Sequence, residues 1–374
     1  MSFYIDPVSQ TRYPLDVPRW ASDEGRPLMM APLPGLGRDG IATDRRSLWR
    51  YAAALPFPID VSVTMGEGLT PLVERTWEGL RALFKLEWVS PTGSFKDRGA
   101  SVMISALRQQ GIHRVLEDSS GNGGAAIAAY AAAAGMAAKI LVPAYTPPAK
   151  TVQMRAYGAE IELVPGTRQD TSDAAIKQSA EIFYASHNWQ PFFLQGTKML
   201  AYELWEDLGF CAPDHVIIPC GAGSNVLGCD IGFDELFRRG EIAKLPKLHA
   251  VQPAACAPFA LSFAAGLDIC PEIVAAPTIA EGAAISKPVR GREVLAALRR
   301  CGGSALSVSE AEIEDACRRL ALTGLYAEPT SAVAAAGLSK LMRAKKISGG
   351  ETVVVVLTGG GLKATQRWGE WVSG

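Results

Sequence analysis

Short apolar runs, many of them β-branched, alternate along most of the chain with longer stretches whose apolar residues recur at helical spacing. A short continuous apolar run indicates a buried strand, and a period of about 3.6 residues indicates a helix. The predicted strands are Ala82–Trp88, Arg114–Glu117, Ala138–Val142, Glu160–Val164, His215–Pro219, Leu248–Gln252 and Thr352–Leu357. The predicted helices are Asp97–Gln110, Gly123–Ala134, Pro148–Tyr157, Asp170–Ala185, Ser224–Arg239, Arg292–Cys301, Ser309–Thr323 and Thr330–Arg343. This alternation predicts parallel sheets with crossover helices, and so an α/β fold.

The first 60 residues differ, because they are rich in proline and carry few periodic runs. One short helix is expected near Arg45 to Leu55, and the rest is expected to be an arm wrapped over a domain.

Composition narrows the class of protein. The chain has 374 residues, of which 48% are hydrophobic and 20% charged, with a formal net charge of −1. These values argue against disorder, and the absence of a basic excess argues against a nucleic-acid partner. No signal peptide or convincing membrane span is found, so a cytoplasmic protein without a membrane partner is expected. The seven cysteines include no CxxC pair, which leaves no metal site and no disulfide framework to predict.

A lysine opens a predicted helix directly after the strand at 82–88, in the run SPTGSFKDRG at residues 90–99. The helix dipole disfavours a cation in the first turn, which lowers the pKa of the Lys96 amine and suits a Schiff-base nucleophile. An ordinary exposed lysine in a capped turn is the alternative.

Two glycine-rich turns, DSSGNGG at 118–124 and PCGAGSNVLG at 219–228, link predicted strands to predicted helices. Backbone N–H groups at a helix start bind anions, and glycines let a carboxylate or phosphate approach the main chain. The second turn partly resembles a dinucleotide-binding fingerprint, which keeps a nicotinamide enzyme as an alternative. Its last glycine is wrongly spaced, however, and a phosphate cup fits better. A third run, LTGGGLK at 357–363, places Thr358 at the carboxyl end of a central strand, where such sheets bind ligands.

Together these segments resemble the threonine synthase family of pyridoxal-phosphate (PLP) enzymes of fold type II. GEGLTP at 66–71 and EPTS at 328–331 extend the match to about residues 50–365. The resemblance implies a tryptophan-synthase-β-like fold of two domains, each an open, mostly parallel sheet flanked by helices, with PLP in the cleft. It implies an arm of residues 1–60, a large domain of 61–87 and 196–374, and a smaller mobile domain of 88–195. It also suggests a homodimer.

The resemblance assigns roles to single residues. Lys96 would form the Schiff base and move protons, Asn122 would hydrogen-bond the phenolic oxygen of PLP, and Thr358 would hydrogen-bond its pyridine nitrogen. The cofactor phosphate would be held by Gly221, Ala222, Gly223, Ser224 and Asn225. The substrate carboxylate would be received by Ser119, Ser120, Gly121 and Gly123. A neutral hydroxyl beside the pyridine nitrogen favours elimination or replacement over transamination.

The leading expectation is a threonine-synthase-like lyase of amino-acid metabolism that converts O-phosphohomoserine and water to threonine and phosphate. Three departures from the family pattern leave the substrate open. Gly123-Gly124 replaces Thr-Ser, which is expected to enlarge the space at the substrate carboxylate. Gly360 replaces a histidine, and Phe193 replaces an arginine. The positive charge of the missing arginine could come from Arg155, Arg168 or Lys198, although each of these side chains is expected to be solvated. The alternatives are a threonine or serine dehydratase, a diaminopropionate-type ammonia-lyase, a cysteate-synthase-like β-replacement enzyme, and a non-catalytic PLP-fold binding protein.

Overall fold

The computed structural model describes residues 2–373. Its strands are β1 Phe3–Ile5, β2 Arg12–Pro14, β3 Met29–Met30, β4 Leu72–Trp77, β5 Leu80–Leu86, β6 Arg114–Glu117, β7 Ala137–Pro143, β8 Glu160–Val164, β9 Phe183–Tyr184, β10 His215–Pro219, β11 Lys247–Pro253, β12 Ser304–Val308 and β13 Val353–Leu357. Its helices are α1 Lys96–Gln109, α2 Asn122–Ala133, α3 Pro148–Ala156, α4 Arg168–Gln178, α5 Pro191–Thr197, α6 Met199–Asp207, α7 Ser224–Arg238, α8 Pro258–Ala264, α9 Gly291–Arg300, α10 Glu310–Leu322, α11 Pro329–Arg343 and α12 Thr365–Ser373. Short 3₁₀ turns lie at Arg38–Gly40, Leu48–Ala54, Glu87–Val89, Glu281–Ala283 and Gly361–Ala364.

The chain forms two compact units, each built from two separate segments. The first unit combines the residues up to Gly68 with Lys96–Met199, and the second combines Leu69–Phe95 with the residues from Leu200 onward. The domain bounds expected from the family resemblance, and the mobility of the smaller domain, stay predictions.

The first unit holds a parallel four-stranded sheet in the order β8-β7-β6-β9 and a small antiparallel sheet in the order β2-β1-β3. The small sheet comes from the proline-rich segment. Its Tyr4 is fully buried in the same apolar cluster as Ile127 and Tyr130 of α2. The N-terminal segment therefore contributes to the core of this unit.

The second unit holds a six-stranded sheet in the order β12-β11-β10-β13-β5-β4. All neighbours are parallel except β4 and β5, which form a hairpin. Its two-residue turn, Glu78-Gly79, has positive φ at both positions, as the tight hairpin turns that match strand twist require. Strand β13 is buried at all five positions, which agrees with the central parallel strand predicted from its valine run.

The predicted α/β class is confirmed, and β6, β8 and β10 have their predicted bounds. The helix predicted over Asp170–Ala185 is wrong in its second half, because α4 ends at Gln178 and Phe183–Tyr184 form β9, which pairs with β6. An apolar run as short as residues 182–184 fits a helix face and a buried strand equally well.

Within residues 2–373, no helix is long and apolar enough to cross a membrane. All seven cysteines are free thiols.

Candidate active site

Lys96 is the first residue of α1, and the backbone just before it is fixed to the end of β13. The N–H of Phe95 donates to the carbonyl oxygen of Thr358 at 3.0 Å, and Ser94 pairs with Gly359 in an isolated bridge. Burial lowers the pKa of the Lys96 amine to about 7, the Glu117 carboxylate opposes this fall, and the Arg168 guanidinium adds to it. An amine with such a pKa is a nucleophile near neutral pH. The direction agrees with the sequence argument, but burial is the main cause.

The loop at 118–124 carries the predicted carboxylate-binding residues from β6 into α2. Asn122 is the first residue of α2, with Gly121 at its N-cap, and the Ser119 hydroxyl oxygen accepts a 3.4 Å hydrogen bond from the Gly121 N–H. A Cβ atom on Gly123 would lie 2.7 Å from Cε1 of His187. The expected gain of room at Gly123 is therefore wrong, because an imidazole fills that space.

A buried carboxylate lies beside that imidazole, and sequence reasoning missed it. Glu117 ends β6 with no exposed surface, and its Oε1 lies 3.0 Å from Nδ1 of His187. Burial raises the pKa of Glu117 to about 7. Burial, together with the charges of Lys96 and Arg168, holds the pKa of His187 well below its usual range. The available sequence signal was an acidic residue at the carboxyl end of a buried parallel strand.

The turn after β10 forms a cup of backbone amides at the start of α7. Gly223, the N-cap residue, has φ of 92°, a conformation that favours glycine, and a Cβ atom on Gly221 would lie 2.9 Å from the Gly282 carbonyl oxygen. Asn225 is only 3% exposed, and neither its Oδ1 nor its Nδ2 has a hydrogen-bond partner among residues 2–373. Bare backbone, a helix start and an unpaired buried amide fit a phosphate group. The structure brings Gly221, Ala222, Gly223, Ser224 and Asn225 together in this cup.

Thr358 directly follows β13 and is 3% exposed. Its hydroxyl oxygen lies 3.1 Å from that of Ser331 in α11. Ser331 also donates to the Gly359 carbonyl and accepts from the Gly359 N–H, at 2.8 and 2.6 Å. The side chain of Glu328 fills the space where a Cβ on Gly359 would lie. Ser331, which sequence reasoning did not single out, therefore fixes the position of Thr358 from within the EPTS motif.

Phe193 lies where the resemblance led us to look for an arginine. Its ring centre is 5.4 Å from Nζ of Lys96, and a Cβ on Gly99 would meet the ring at 2.5 Å. The expectation that Lys198 is solvated is wrong, because it is fully buried and donates to the Ala54 carbonyl oxygen at 2.7 Å. Arg155 is exposed, whereas Arg168 is half-buried and its charge reaches Lys96, His187 and the Asp118 carboxylate.

Within the described part of the chain, no group of three or more His, Cys, Asp or Glu side chains is arranged to hold a metal ion.

The chain is similar to known proteins of one enzyme family. A family model described as pyridoxal-phosphate dependent enzyme matches residues 63–359. A threonine synthase of Methanosarcina acetivorans is 35% identical over 335 residues, which is 87% of this chain and 82% of the relative. A threonine synthase of Mycobacterium tuberculosis is 34% identical over 323 residues, which is 84% of this chain and 87% of the relative. These relatives confirm the resemblance drawn from the motifs.

Solved structures are similar over most of the chain as well. A threonine deaminase of T.th. has a TM-score of 0.66 and 27% identity, and the match covers 78% of this chain and 92% of that one. A threonine deaminase of Solanum lycopersicum has a TM-score of 0.70 at 23% identity, with 91% and 96% covered, which supports the fold alone.

Proposed function

We propose a reaction for this chain from the premise that it belongs to the pyridoxal-phosphate dependent enzyme family and is a threonine-synthase-like lyase within it. The proposed reaction converts O-phosphohomoserine and water to threonine and phosphate. The observation that carries this proposal is the 32–35% identity to threonine synthases over at least 80% of the chain. The lysine run, the 118–124 loop, the cup and Thr358 all lie within the matched span of residues 63–359.

In this proposal, each motif of the candidate site holds a different part of the cofactor or of the substrate. The cup at 221–225 holds the phosphate of PLP, and Asn225 supplies the amide whose polar atoms have no protein partner. Thr358 hydrogen-bonds the pyridine nitrogen, and Asn122 the phenolic oxygen. Ser119, Ser120, Gly121 and Gly123 receive the substrate carboxylate. When bound, PLP withdraws electrons from the substrate's α-carbon, which makes that carbon's proton acidic.

Lys96 acts as the base for this proton. Its amine is buried and its pKa is lowered to about 7, so part of it is unprotonated at neutral pH and can accept a proton. Its position is set by the backbone contacts of Ser94 and Phe95 described above.

An anionic substrate is supported by Arg168. It is half-buried, no ion pair holds it within the described residues, and its charge reaches three buried groups of the site. A guanidinium group binds a phosphate with two parallel hydrogen bonds. In this proposal Arg168 binds the substrate phosphate, which the apolar side chain of Phe193 cannot do.

A threonine or serine dehydratase is the second candidate. It is favoured by the apolar Phe193 ring 5.4 Å from the Lys96 amine and by the similarity to a threonine deaminase at 27% identity. A dehydratase substrate carries a hydroxyl leaving group, which needs no cationic partner.

Substrate assays separate the two candidates. O-phosphohomoserine, threonine, serine, O-phosphoserine and diaminopropionate are offered in turn, and phosphate, ammonia, keto acid and threonine are measured. Threonine and phosphate formed together from O-phosphohomoserine support the proposal. Keto acid and ammonia from threonine or serine, with no reaction of O-phosphohomoserine, would favour the dehydratase.

The Lys96→Ala variant tests the cofactor attachment. We expect it to lose the visible absorbance band of bound PLP and all turnover, whereas Lys150→Ala, which replaces an exposed lysine of α3, should keep both. A K96A protein with an unchanged band would overturn the assignment of Lys96.

We also propose that the enzyme is a cytoplasmic homodimer. The family resemblance supports the dimer, and seven free thiols suit a reducing compartment. Sedimentation of the purified enzyme tests its oligomeric state.

A further inference from the structure

The chain that leaves β9 extends the pairing of β9 with β6 into the loop at 118–124. Within the two strands, Tyr184 pairs with Leu116. Beyond them, the hydroxyl groups of Tyr184 and Ser186 donate to Oδ1 of Asp118, the first residue of the loop, at 2.8 and 3.3 Å. The start of the loop is therefore fixed by side chains of the neighbouring strand and of the segment after it.

The next residue, His187, is bonded to the Glu117 carboxylate at two points. Its backbone N–H donates to Oε2 at 3.0 Å, and Nδ1 of its imidazole lies 3.0 Å from Oε1, which also accepts the N–H of Asp118 at 3.0 Å. Glu117 has no exposed surface, His187 is 5% exposed, and the Phe193 ring packs against the imidazole edge with ring centres 5.7 Å apart. The imidazole cannot turn away without breaking a buried hydrogen bond, which is costly.

This fixed imidazole occupies the space of a side chain at position 123. A Cβ atom on Gly123 would lie 2.7 Å from Cε1 and 2.8 Å from Nδ1 of His187. Gly123 lies in the first turn of α2 and its φ is not positive, so its backbone conformation suits any residue. The imidazole, rather than the backbone conformation, therefore requires glycine at this position.

The bare backbone at 123 belongs to the part of α2 that the substrate carboxylate is proposed to meet. The first hydrogen bond within α2 runs from the N–H of Ala125 to the carbonyl oxygen of Gly121 at 3.1 Å, so the N–H groups of residues 122–124 precede it. N–H groups at such a helix start bind anions, and glycine lets the anion come close to the main chain.

We propose that His187, held by Glu117, is the positioning residue of the carboxylate-binding loop. Its imidazole takes the volume of the side chain that Gly123 lacks, and it keeps the N–H groups of residues 121–124 in place for the substrate carboxylate. The inference rests on the proposed function, because it takes this loop as the site of the substrate carboxylate. His187 acts through the position of the loop rather than on the reacting atoms.

A double-mutant cycle tests the packing of the imidazole against Gly123. In the wild-type background, Gly123→Ala should lower the equilibrium constant for folding by about 5- to 100-fold, as overpacking does. In the His187→Ala background, the same change should raise that constant by about 2- to 5-fold, because alanine favours a helix more than glycine does. Urea denaturation of the four holoenzymes measures both effects. Equal effects of Gly123→Ala in the two backgrounds would overturn the proposal.

Gly124→Ala is the matched control for this cycle. A Cβ atom on Gly124 would collide with the carbonyl oxygen of Ser119, which is a main-chain atom and does not depend on the imidazole. We therefore expect this change to be destabilising both in the wild type and in H187A.

Hydrogen exchange of the holoenzyme tests whether His187 orders the loop. Loss of the hydrogen bond to the buried carboxylate in H187A should speed exchange of the amides at 117–125 by about 10- to 100-fold. His187→Asn, whose side-chain amide offers a donor close to the position of Nδ1, should speed it less. His113→Ala, at an exposed histidine, should leave it unchanged. Unchanged exchange of these amides in H187A would overturn the proposal.

Steady-state kinetics tests the consequence for the substrate. H187A should raise the KM for O-phosphohomoserine by about 10- to 100-fold, as expected when hydrogen bonds to a charged group are weakened, and it should change kcat much less. H187N should raise KM less than H187A, and H113A should keep the wild-type KM. An H187A enzyme with the wild-type KM would overturn the role of His187 in carboxylate binding.

The failures of the two proposals are distinguishable. If the wild-type enzyme forms no threonine from O-phosphohomoserine, the proposed function fails, and the double-mutant cycle and the exchange rates still report on the contact of His187 with the loop. If the wild type forms threonine while the cycle is additive and the exchange rates are unchanged in H187A, only the role of His187 is overturned.

Discussion

Asn225 is a buried amide with two unpaired polar atoms, in a cup that suits a phosphate. A buried polar group without a partner costs free energy, so the protein keeps this residue at a loss of stability unless a ligand pairs it. The unpaired amide therefore supports the prediction that the cup binds a phosphate.

Asn225→Ala should separate cofactor affinity from stability. The loss of a hydrogen bond to a charged phosphate costs about 1.5–3 kcal/mol, so the dissociation constant for PLP should rise about 10- to 100-fold. The free energy of unfolding of the cofactor-free protein should not fall, because the amide has no hydrogen-bond partner to lose within the described part of the chain. Fluorescence titration and urea denaturation measure the two quantities. An N225A protein that binds PLP as tightly as the wild type would contradict the assignment of the cup.

Residues that act within one short motif are the ones that sequence reasoning could find. A turn between a strand and a helix carries each of Lys96, Asn122 and the cup at 221–225, and the local amino-acid sequence identifies that turn. The Glu117–His187 pair joins positions 70 residues apart, and only the pairing of β6 with β9 brings them close. The site residues themselves stay predictions until ligand binding is measured.

At the scale of elements, a buried charge network fastens α6 to β5 in the second unit. Nζ of Lys85 lies 2.7 Å from Oε1 of Glu203 and 2.6 Å from Oδ2 of Asp207, and it donates to the Thr70 carbonyl oxygen at 2.6 Å. Glu203 in turn accepts the backbone N–H groups of Leu69 and Thr70. Lys85 and Glu203 have no exposed side-chain surface, so neither charge can be solvated if its partner is lost.

Lys85→Met should therefore be strongly destabilising. Removing one member of a buried ion pair typically costs about 3–5 kcal/mol, since it leaves the other charge unpaired. The midpoint of urea denaturation measures the loss. Arg81→Met, in the exposed pair with Glu74, is the matched control and should change little. Equal midpoints for the two variants would show that the network does not stabilise the second unit.

Helices and strands with a clear local sequence signal could be predicted from the sequence. Strands that form only because they pair with a neighbouring strand could not. The valine run of β13 and the capping box of Ser309 with Glu312 at the start of α10 are local signals, and both are present in the structure. The two-residue strands β3 and β9 are too short to carry a period. They exist because a neighbouring strand supplies their hydrogen bonds, which no local pattern encodes.

At the scale of the whole molecule, each unit is assembled from two distant segments, so its bounds do not follow from dividing the chain once into two continuous domains. The segment before Gly68 shows the limit of local patterns, since it is poor in periodic structure and still supplies fully buried residues such as Tyr4, Leu28 and Leu48.

Stability of the whole chain should depend on pH through a histidine pair at the amino ends of the central strands. Nδ1 of His215 lies 2.9 Å from Nε2 of His249, whose Nδ1 lies 2.8 Å from the Ser304 hydroxyl oxygen. Burial, followed by the charges of His215 and Lys247, lowers the pKa of His249 to about 3.

The sign of this dependence follows from proton binding. Between the lowered pKa near 3 and the usual value of 6.5, the unfolded chain binds a proton at His249 and the folded chain does not, so acid favours unfolding. The free energy of unfolding of the wild type should fall more steeply than that of His249→Gln as the pH drops from 6.5 towards 3, by up to about 1.4 kcal/mol per pH unit. Urea denaturation at several pH values measures both slopes, and His113→Gln, at an exposed histidine, should keep the wild-type slope. Parallel slopes for wild type and H249Q would mean that the buried pair takes up its proton without unfolding the protein.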